Sequence, residues 1–365
     1  MKRYVLTVML FGACHLAPAD PGPLPALGAD LTRTTVSGIS LGGLMAVQLA
    51  TAYSARFVGI GVIAAGSDYC TDGYPALSLF ANATNACVSP SIAMQRPDAG
   101  IAWINANLFA EEELIDTVDN VGKQALYASD GGDRTVKNTV VDTLLRYYLA
   151  AGAAAKRIKY DTSNAAGIVS ISNNAVDLPC ALTKAPFINN CGAVQADALL
   201  HHLYGDGRRP SNGGVAAGRI IAFAQRDFVD SPLASMGSVA YAYVPNACQT
   251  EACAVHVVLH DCLQGASATG AHFYAGAGYN AFADTHQLII LYPQAVASRG
   301  VPVNPLGCWD FWGYSVKQNA PPYNAALPPF FAKGAPQMAA IVRMIERLGA
   351  PRGTLATIPS PAPHP

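Results

Sequence analysis

The stretch Thr35-Val36-Ser37-Gly38-Ile39-Ser40-Leu41-Gly42-Gly43-Leu44-Met45-Ala46-Val47-Gln48-Leu49 holds a Gly-x-Ser-x-Gly pattern between two kinds of local structure. Thr34 to Ser37 predicts a short strand. Leu44 to Ala52 predicts a helix of small and apolar residues. Glycines on both sides of Ser40 let the chain turn sharply, so that a hydroxyl projects above the end of a sheet while the helix start offers free N–H groups to a developing negative charge. The bland alternative is a chance Gly-Ser turn. The strand before it, the helix after it and the extra Gly43 favour the turn that presents a nucleophile, with Ser40 as the candidate.

Outward from this turn, the chain alternates. Val58 to Ala65 is a nearly continuous apolar run, as expected of a strand buried on both faces. Residues 71 to 100 read as irregular, with Gly, Pro, Asn and Ser scattered through them. Leu126 to Ala128 predicts a strand end before the loop Ser129-Asp130-Gly131-Gly132-Asp133. Thr139 to Leu149 has apolar residues at helical spacing, Ile158 to Tyr160 predicts a strand, and Ala198 to Tyr204 a short helix. Further strands are expected at Arg219–Phe223, Val239–Val244, Ala254–His260 and Leu288–Tyr292, and a last helix at Gln337–Leu348. Strands alternating with helices point to an α/β fold with a mainly parallel sheet.

Composition narrows the function classes. The chain has 365 residues, 51% hydrophobic and 13% charged, with a formal net charge of −1. Roughly 25% charged residues is usual for a soluble domain. Disorder is excluded for most of the chain, and no broad basic face for nucleic acid is expected. No apolar run reaches the roughly 18 residues of a transmembrane span. Met1-Lys2-Arg3 followed by the apolar Tyr4–Ala13 and by Ala17-Pro18-Ala19 reads as a signal peptide over residues 1–19. Anchoring as a lipoprotein at Cys14 is the less favoured alternative, because Phe11 is a poor first residue of a lipobox. Residues 20–350 read as one domain and 351–365 as a Pro-rich disordered tail.

Cysteine arithmetic agrees with export. Nine Cys are present, and removing Cys14 with the signal leaves an even set. Eight Cys allow roughly a hundred connectivities, but short separations favour Cys70 with Cys87, Cys180 with Cys191 and Cys248 with Cys253, which leaves Cys262 with Cys308. A zinc site is disfavoured, since no Cys-x-x-Cys pair and no suitably spaced His accompanies them.

The motif set as a whole resembles the secreted poly(3-hydroxybutyrate) depolymerases. Besides the stretch around Ser40, the resemblance rests on Gly59–Gly66 (Gly-Ile-Gly-Val-Ile-Ala-Ala-Gly), Pro186-Phe187-Ile188-Asn189-Asn190-Cys191 and Leu259-His260-Asp261-Cys262-Leu263-Gln264. It continues through Gly278-Tyr279-Asn280 with Ala283-Asp284, Leu291-Tyr292-Pro293-Gln294, Gly307-Cys308-Trp309-Asp310 and Gln337–Val342. These collinear blocks run from about residue 31 to 348 and match the single-domain, circularly permuted branch most closely. The implied fold is that of the α/β-hydrolases. The order of motifs agrees with the permutation: the loop resembling the His-Gly oxyanion loop, which ordinarily precedes the nucleophile, here lies far downstream of Ser40.

The resemblance implies roles residue by residue. Ser40 matches the nucleophile that forms an acyl-enzyme. Asp133 matches the acid that orients a histidine, with Asp130 the less favoured neighbour; for either, the alternative is a turn aspartate bonding its own backbone. The N–H groups of Leu41 and Cys262 match the oxyanion hole, each worth roughly 3 kcal/mol in other hydrolases. Trp309, Phe311 and Trp312 read two ways, as an apolar polymer-contact surface or as core aromatics. No cofactor and no metal is implied, and the oligomeric state is left open.

Two positions depart from the pattern. Asp261 stands where the family has Gly, and its side chain is expected to disturb the loop or repel an oxyanion. Ile168, in Asn164–Ser170, stands where the family has its catalytic His. Loss of the base costs about 10⁶ in turnover in a well-studied serine protease. His201 and His202 read as helix-surface residues and His260 as a core histidine with a satisfied ring; His256, His272, His286 and His364 carry no motif, so no base is assigned. Three functions follow: an esterase acting on polyhydroxyalkanoate, a catalytically impaired exported binding protein, and an esterase for other small esters.

Overall fold

A computed structural model describes residues 21–72, 74, 76–91, 96–130, 135–163, 166, 169–206, 218–316 and 328–354. Residues 1–19, Asp133, Ile168 and the tail from 355 lie outside them, and with them the expected signal peptide, the candidate acid and the departure at the histidine position.

In chain order the elements are β1 (Asp30–Ile39), α1 (Leu41–Ala52), β2 (Phe57–Ile63), α2 (Leu79–Thr84), α3 (Ala99–Glu111), β3 (Ala125–Ser129), α4 (Asn138–Ala150), β4 (Ile158–Asp161), β5 (Ser170–Ser172), β6 (Leu178–Pro179), β7 (Ile188–Asn190), α5 (Gln195–Tyr204), β8 (Arg219–Ala224), β9 (Val239–Val244), β10 (Ala254–Leu259), α6 (Ala266–Thr269), α7 (His272–Gly276), α8 (Tyr279–His286), β11 (Leu288–Tyr292) and α9 (Pro336–Gly349). Among the described residues, eight strands form one sheet in the order β4-β3-β2-β1-β10-β11-β9-β8. Six run parallel. β9 is antiparallel to β11, and β8 to β9.

The sheet is covered on both faces, which explains its apolar runs. Every residue of β10 and β11 is buried. Along β10, Val255, Val257 and Leu259 join the core with α1, α3, α4 and α9, whereas Ala254 and Val258 join the core with α5 and α8. A strand alternates its side chains between faces, so His256 lies on the α5/α8 side. Helix α1 is buried over nearly its whole circumference, so its sequence shows no polar face. By contrast, α9 is amphipathic and buries Met338, Ile341, Met344, Ile345 and Leu348. Its end is tied to the approach to β1, where Leu27 and Ala29 N–H both donate to Leu348 O at 3.0 Å.

Two expectations need correction. The 71–100 stretch is not wholly irregular: it holds α2 and the start of α3. Helix α3 shows no apolar face in sequence because alanines, Ala102 and Ala106, do the burying, while Ile101, Ile104 and Leu108 are exposed. A second, three-stranded sheet, β5-β7-β6, escaped the periodicity because its strands have only two or three residues. The four disulfides are those favoured by sequence separation: Cys70–Cys87, Cys180–Cys191, Cys248–Cys253 and Cys262–Cys308.

Candidate active site

Ser40 sits at the junction of β1 and α1 with φ 51° and ψ −120°. This backbone conformation is unusual for a residue with a side chain, and such strain concentrates at functional sites. Neighbouring chain holds it there: Ser40 N–H donates to Ile63 O at 2.7 Å, and Leu44 N–H donates to Ser40 O at 3.0 Å. The two glycines of the motif are required by close approach. A Cβ on Gly38 would stand 2.1 Å from Gly42 O, and one on Gly42 would stand 2.4 Å from both Leu259 O and His260 O. Gly42 therefore lets the start of α1 touch the end of β10, and this contact brings residues 260–262 beside Ser40.

The strand register places the rest of the candidate machinery on the same edge. Ile39 pairs with Ile63 and Ile63 with Ser129, while Gly38 pairs with Leu259. β1, β3 and β10 are parallel in this sheet, so Ser40, Asp130 directly after β3 and the His-Asp-Cys loop all lie at its C-terminal edge. Open α/β sheets bind ligands at that edge. Asp130, the described member of the acidic pair, is buried, and burial raises its carboxyl above the usual range.

The N–H groups expected to form an oxyanion hole do converge. Leu41 N–H and Cys262 N–H both donate to one atom, Asp261 Oδ1, at 3.3 and 2.7 Å. The two N–H groups thus meet at one point, and the Asp261 side chain of the same loop stands there. The Ser40 hydroxyl is near enough to this carboxyl to favour its charged form. Burial pushes the Asp261 carboxyl up to about 6, opposed by the N–H groups of Cys262 and Leu41 and by the Ser40 hydroxyl. The expected disturbance of the loop is thus not what occurs. Asp261 N–H donates to Gln264 Oε1 at 2.9 Å, Leu263 N–H donates to Leu306 O at 2.8 Å, and Cys262 is bonded to Cys308.

Among the described residues, no histidine is hydrogen-bonded to the Ser40 side chain. His260 has its ring satisfied: Nδ1 lies 2.7 Å from Asp261 O, and Ala295 N–H donates to Nε2 at 3.1 Å. A carbonyl on one nitrogen and an N–H on the other fix the neutral Nδ1–H tautomer, and burial lowers the ring to about 4. His256 is likewise engaged at both nitrogens, by Thr35 Oγ1 at 2.6 Å and Ser37 Oγ at 2.8 Å, and burial lowers it to about 3. One residue separates His286 from β11, and the His201 ring is 5.5 Å from the His286 ring. His202 Nε2 lies 3.0 Å from Arg157 O, just before β4. These three therefore sit at the N-terminal edge, opposite Ser40. His272 is exposed on α7 and lines a cavity of about 500 Å³ with Val176, Pro186 and Ile188.

The two ways of reading the aromatics are now separated for Trp309. It is fully buried, and its Nε1–H donates to His260 O at 2.9 Å. A side chain with no exposed surface offers none to a polymer, so Trp309 instead holds the His260 carbonyl, and its assignment to substrate contact is corrected. Phe311 is buried too, whereas Trp312 is half-buried. The exposed apolar residues beside the hole are Leu263 and Leu306, at 44% and 48% exposure. Sequence reasoning missed both, because an apolar residue in an irregular loop gives no sign of which way it faces.

Comparison with known proteins agrees with this geometry. No family model matches the chain. It is 36% identical over 341 residues to a poly(3-hydroxybutyrate) depolymerase of Delftia acidovorans, across 92% of this chain and 63% of that protein. It therefore spans less than two thirds of that relative. It is 33% identical over 354 residues to a polyhydroxybutyrate depolymerase of Talaromyces funiculosus, across 93% of this chain and 96% of that protein. Among solved structures it is similar to a serine-to-alanine variant of a PHB depolymerase complexed with an R3HB trimer, at TM-score 0.73 and 30% identity over 90% of this chain and 98% of that one. It is also similar to the PHB depolymerase from Penicillium funiculosum, at TM-score 0.72 and 32% identity with the same coverage. With an α/β-hydrolase-like sheet, a serine elbow and a relative 33% identical and matched over 96% of its length, the chain belongs to the poly(3-hydroxybutyrate) depolymerase family.

Proposed function

We propose that the protein is a secreted serine esterase that hydrolyses polyhydroxybutyrate ester bonds through an acyl-enzyme on Ser40. The observation that carries this reading is the convergence of Leu41 and Cys262 N–H groups on one point beside the Ser40 hydroxyl. In the reaction Ser40 Oγ bonds to the ester carbonyl carbon and loses its proton to a base. The carbonyl π pair moves onto oxygen, where the two N–H groups hold it. The alcohol end of the polymer leaves with a proton, and water then cleaves the acyl-enzyme. Asp133 is assigned as the acid that orients the base, and the base itself is left unassigned.

Exposed Leu263 and Leu306 give the edge of the site an apolar rim suited to a polyester. Four disulfides favour an oxidising compartment, which agrees with residues 1–19 acting as a signal peptide. The location of α9 against the approach to β1, with the oxyanion loop late in the chain, supports the permuted motif order.

A second reading is an exported polyester-binding protein of the same fold. It is favoured by the carboxylate in the hole and by Ile168 at the histidine position. Hydrolysis of p-nitrophenyl butyrate and of polyhydroxybutyrate film by wild type and by Ser40→Ala separates the two. The esterase reading expects turnover that falls by at least about 10³ in the variant, within the range seen for other serine hydrolases. Equal rates in folded wild type and variant, with film binding retained, would establish the binding role. Cleavage of the small ester with no attack on film would leave an esterase of another specificity.

A further inference from the structure

We infer that Asp261 is a built-in occupant of the oxyanion hole, and that the site becomes competent for acyl transfer only when this carboxylate swings out. The inference rests on the proposed role of Ser40 and concerns the same site. The hole is one point in space, fixed by two N–H groups from segments far apart in sequence. Oδ1 of Asp261 already accepts from both. An ester carbonyl oxygen must stand at that point to be polarised, so substrate and carboxylate exclude each other. The competition is uneven. A carboxylate forms stronger, charge-assisted hydrogen bonds than a neutral ester carbonyl, and the Asp261 side chain is covalently present at high local concentration.

The occupant sits on a firmly held loop. The Cys262–Cys308 disulfide, the Leu263–Leu306 backbone bond and the Trp309–His260 bond fix the backbone of residues 260–263. Opening therefore needs only rotation about the Asp261 side-chain bonds, which leaves both hole donors in place. Asp261→Gly removes the occupant and keeps the donors. Asp261→Asn keeps the size of the side chain but removes its charge, leaving a weaker occupant.

The test compares full-length wild type, Asp261→Gly and Asp261→Asn in two measurements. In the first, kcat/KM for p-nitrophenyl butyrate is expected to rise at least tenfold in Asp261→Gly and by less in Asp261→Asn. A fall of Asp261→Gly to the level of Ser40→Ala would overturn the inference and assign the carboxylate as the base for Ser40. In the second, calorimetric titration with acetate at pH 8 needs no turnover, and so reports on the hole even if the esterase reading fails. Acetate is expected to bind Asp261→Gly and not wild type, because it fills the vacated point. Identical behaviour of wild type and Asp261→Gly toward acetate would sink the idea. If the glycine variant does not fold, the asparagine variant decides, with an unchanged kcat/KM and unchanged acetate response counting against the inference.

Discussion

Half-buried Asp261 and buried Asp310 are two carboxylates held by backbone N–H groups, and they do opposite things. Asp310 takes its donors from the residues that follow it. Trp312, Gly313 and Tyr314 N–H donate to Oδ1 at 3.3, 2.6 and 3.0 Å, and the N–H and hydroxyl of Ser315 donate to Oδ2 at 2.9 and 2.5 Å. Its own N–H donates to Gln337 Oε1 at 2.7 Å, and its carbonyl accepts from Gln48 at 3.1 Å. Asp310 thus winds a loop and fastens it to α9 and α1. Asp261 takes its donors from two segments that the fold brings together, Leu41 on the elbow and Cys262 on the opposing loop. A nest made by one short segment needs its anion in order to form. A nest assembled by tertiary structure survives the anion's departure, and this makes it usable as a site.

The largest expected effect tests what assembles that second nest. Replacing Cys262 and Cys308 together by Ser opens a loop with a sequence separation of 46 and should cost about 4 kcal/mol in the chain-entropy account. It should also remove esterase activity, because Cys262 N–H is one of the two donors. Replacing Cys248 and Cys253, separated by 5, should cost about 2 kcal/mol and leave activity intact. Urea melts and ester hydrolysis on both double variants check this. Equal activity in the two would show that the disulfide does not hold the hole in place.

The next effect separates the two aspartates directly. Asp310→Ala leaves five donors without their acceptor inside a buried loop, and should cost about 3 kcal/mol of stability. Asp261→Asn should change stability by less than about 1 kcal/mol at pH 7, because amide oxygen still accepts from both N–H groups. If both substitutions destabilise equally in urea, the donors at residues 41 and 262 depend on their anion as those of the Asp310 loop do, and the contrast fails.

The same contrast explains what could be read in the sequence. Strand β1, helix α1, the Gly-x-Ser-x-Gly turn and the three short disulfides are local, so residue spacing reports them directly. Strands β9 and β11 were placed to the residue, but their antiparallel pairing was not, because direction is decided by connections rather than by side-chain pattern. Trp309 could be read as surface or core until its partner, the carbonyl of His260, was known. The satisfied ring of His260 likewise depends on Ala295, across the sheet. At Asp261 the chemistry of the residue was visible, and the departure from Gly pointed to the hole. Its effect on Leu41 was not visible, since nothing in either segment states their distance. Where the sequence leaves a question, the missing quantity is a contact between distant segments.

The smallest effect is the pH dependence of stability, and its sign is fixed by which state holds the proton. Asp261 is raised to about 6 in the folded protein by burial, and Asp310 is raised as well. Between about pH 4 and 6 the folded state therefore binds more protons at Asp261 than the unfolded chain does, so this group lowers stability as pH rises through that window. His260 and His256 act in the other direction. Burial lowers them to about 4 and 3, so the unfolded chain binds more protons there and stability rises with pH up to about 6.5. In wild type the two contributions oppose each other. The groups facing Asp261 are the Ser40 hydroxyl, the N–H groups of Leu41 and Cys262, the neutral amide of Gln264 and the His260 ring on its carbonyl; only His260 titrates in this range, and it is present in both proteins. Subtracting the wild-type curve from that of Asp261→Asn therefore isolates the carboxyl. The variant should gain on the order of 1 kcal/mol relative to wild type on going from pH 4 to pH 7, read from urea midpoints at constant ionic strength. A difference curve that is flat across this range would mean that Asp261 titrates normally, hence that its carboxylate is hydrated and stands outside the nest.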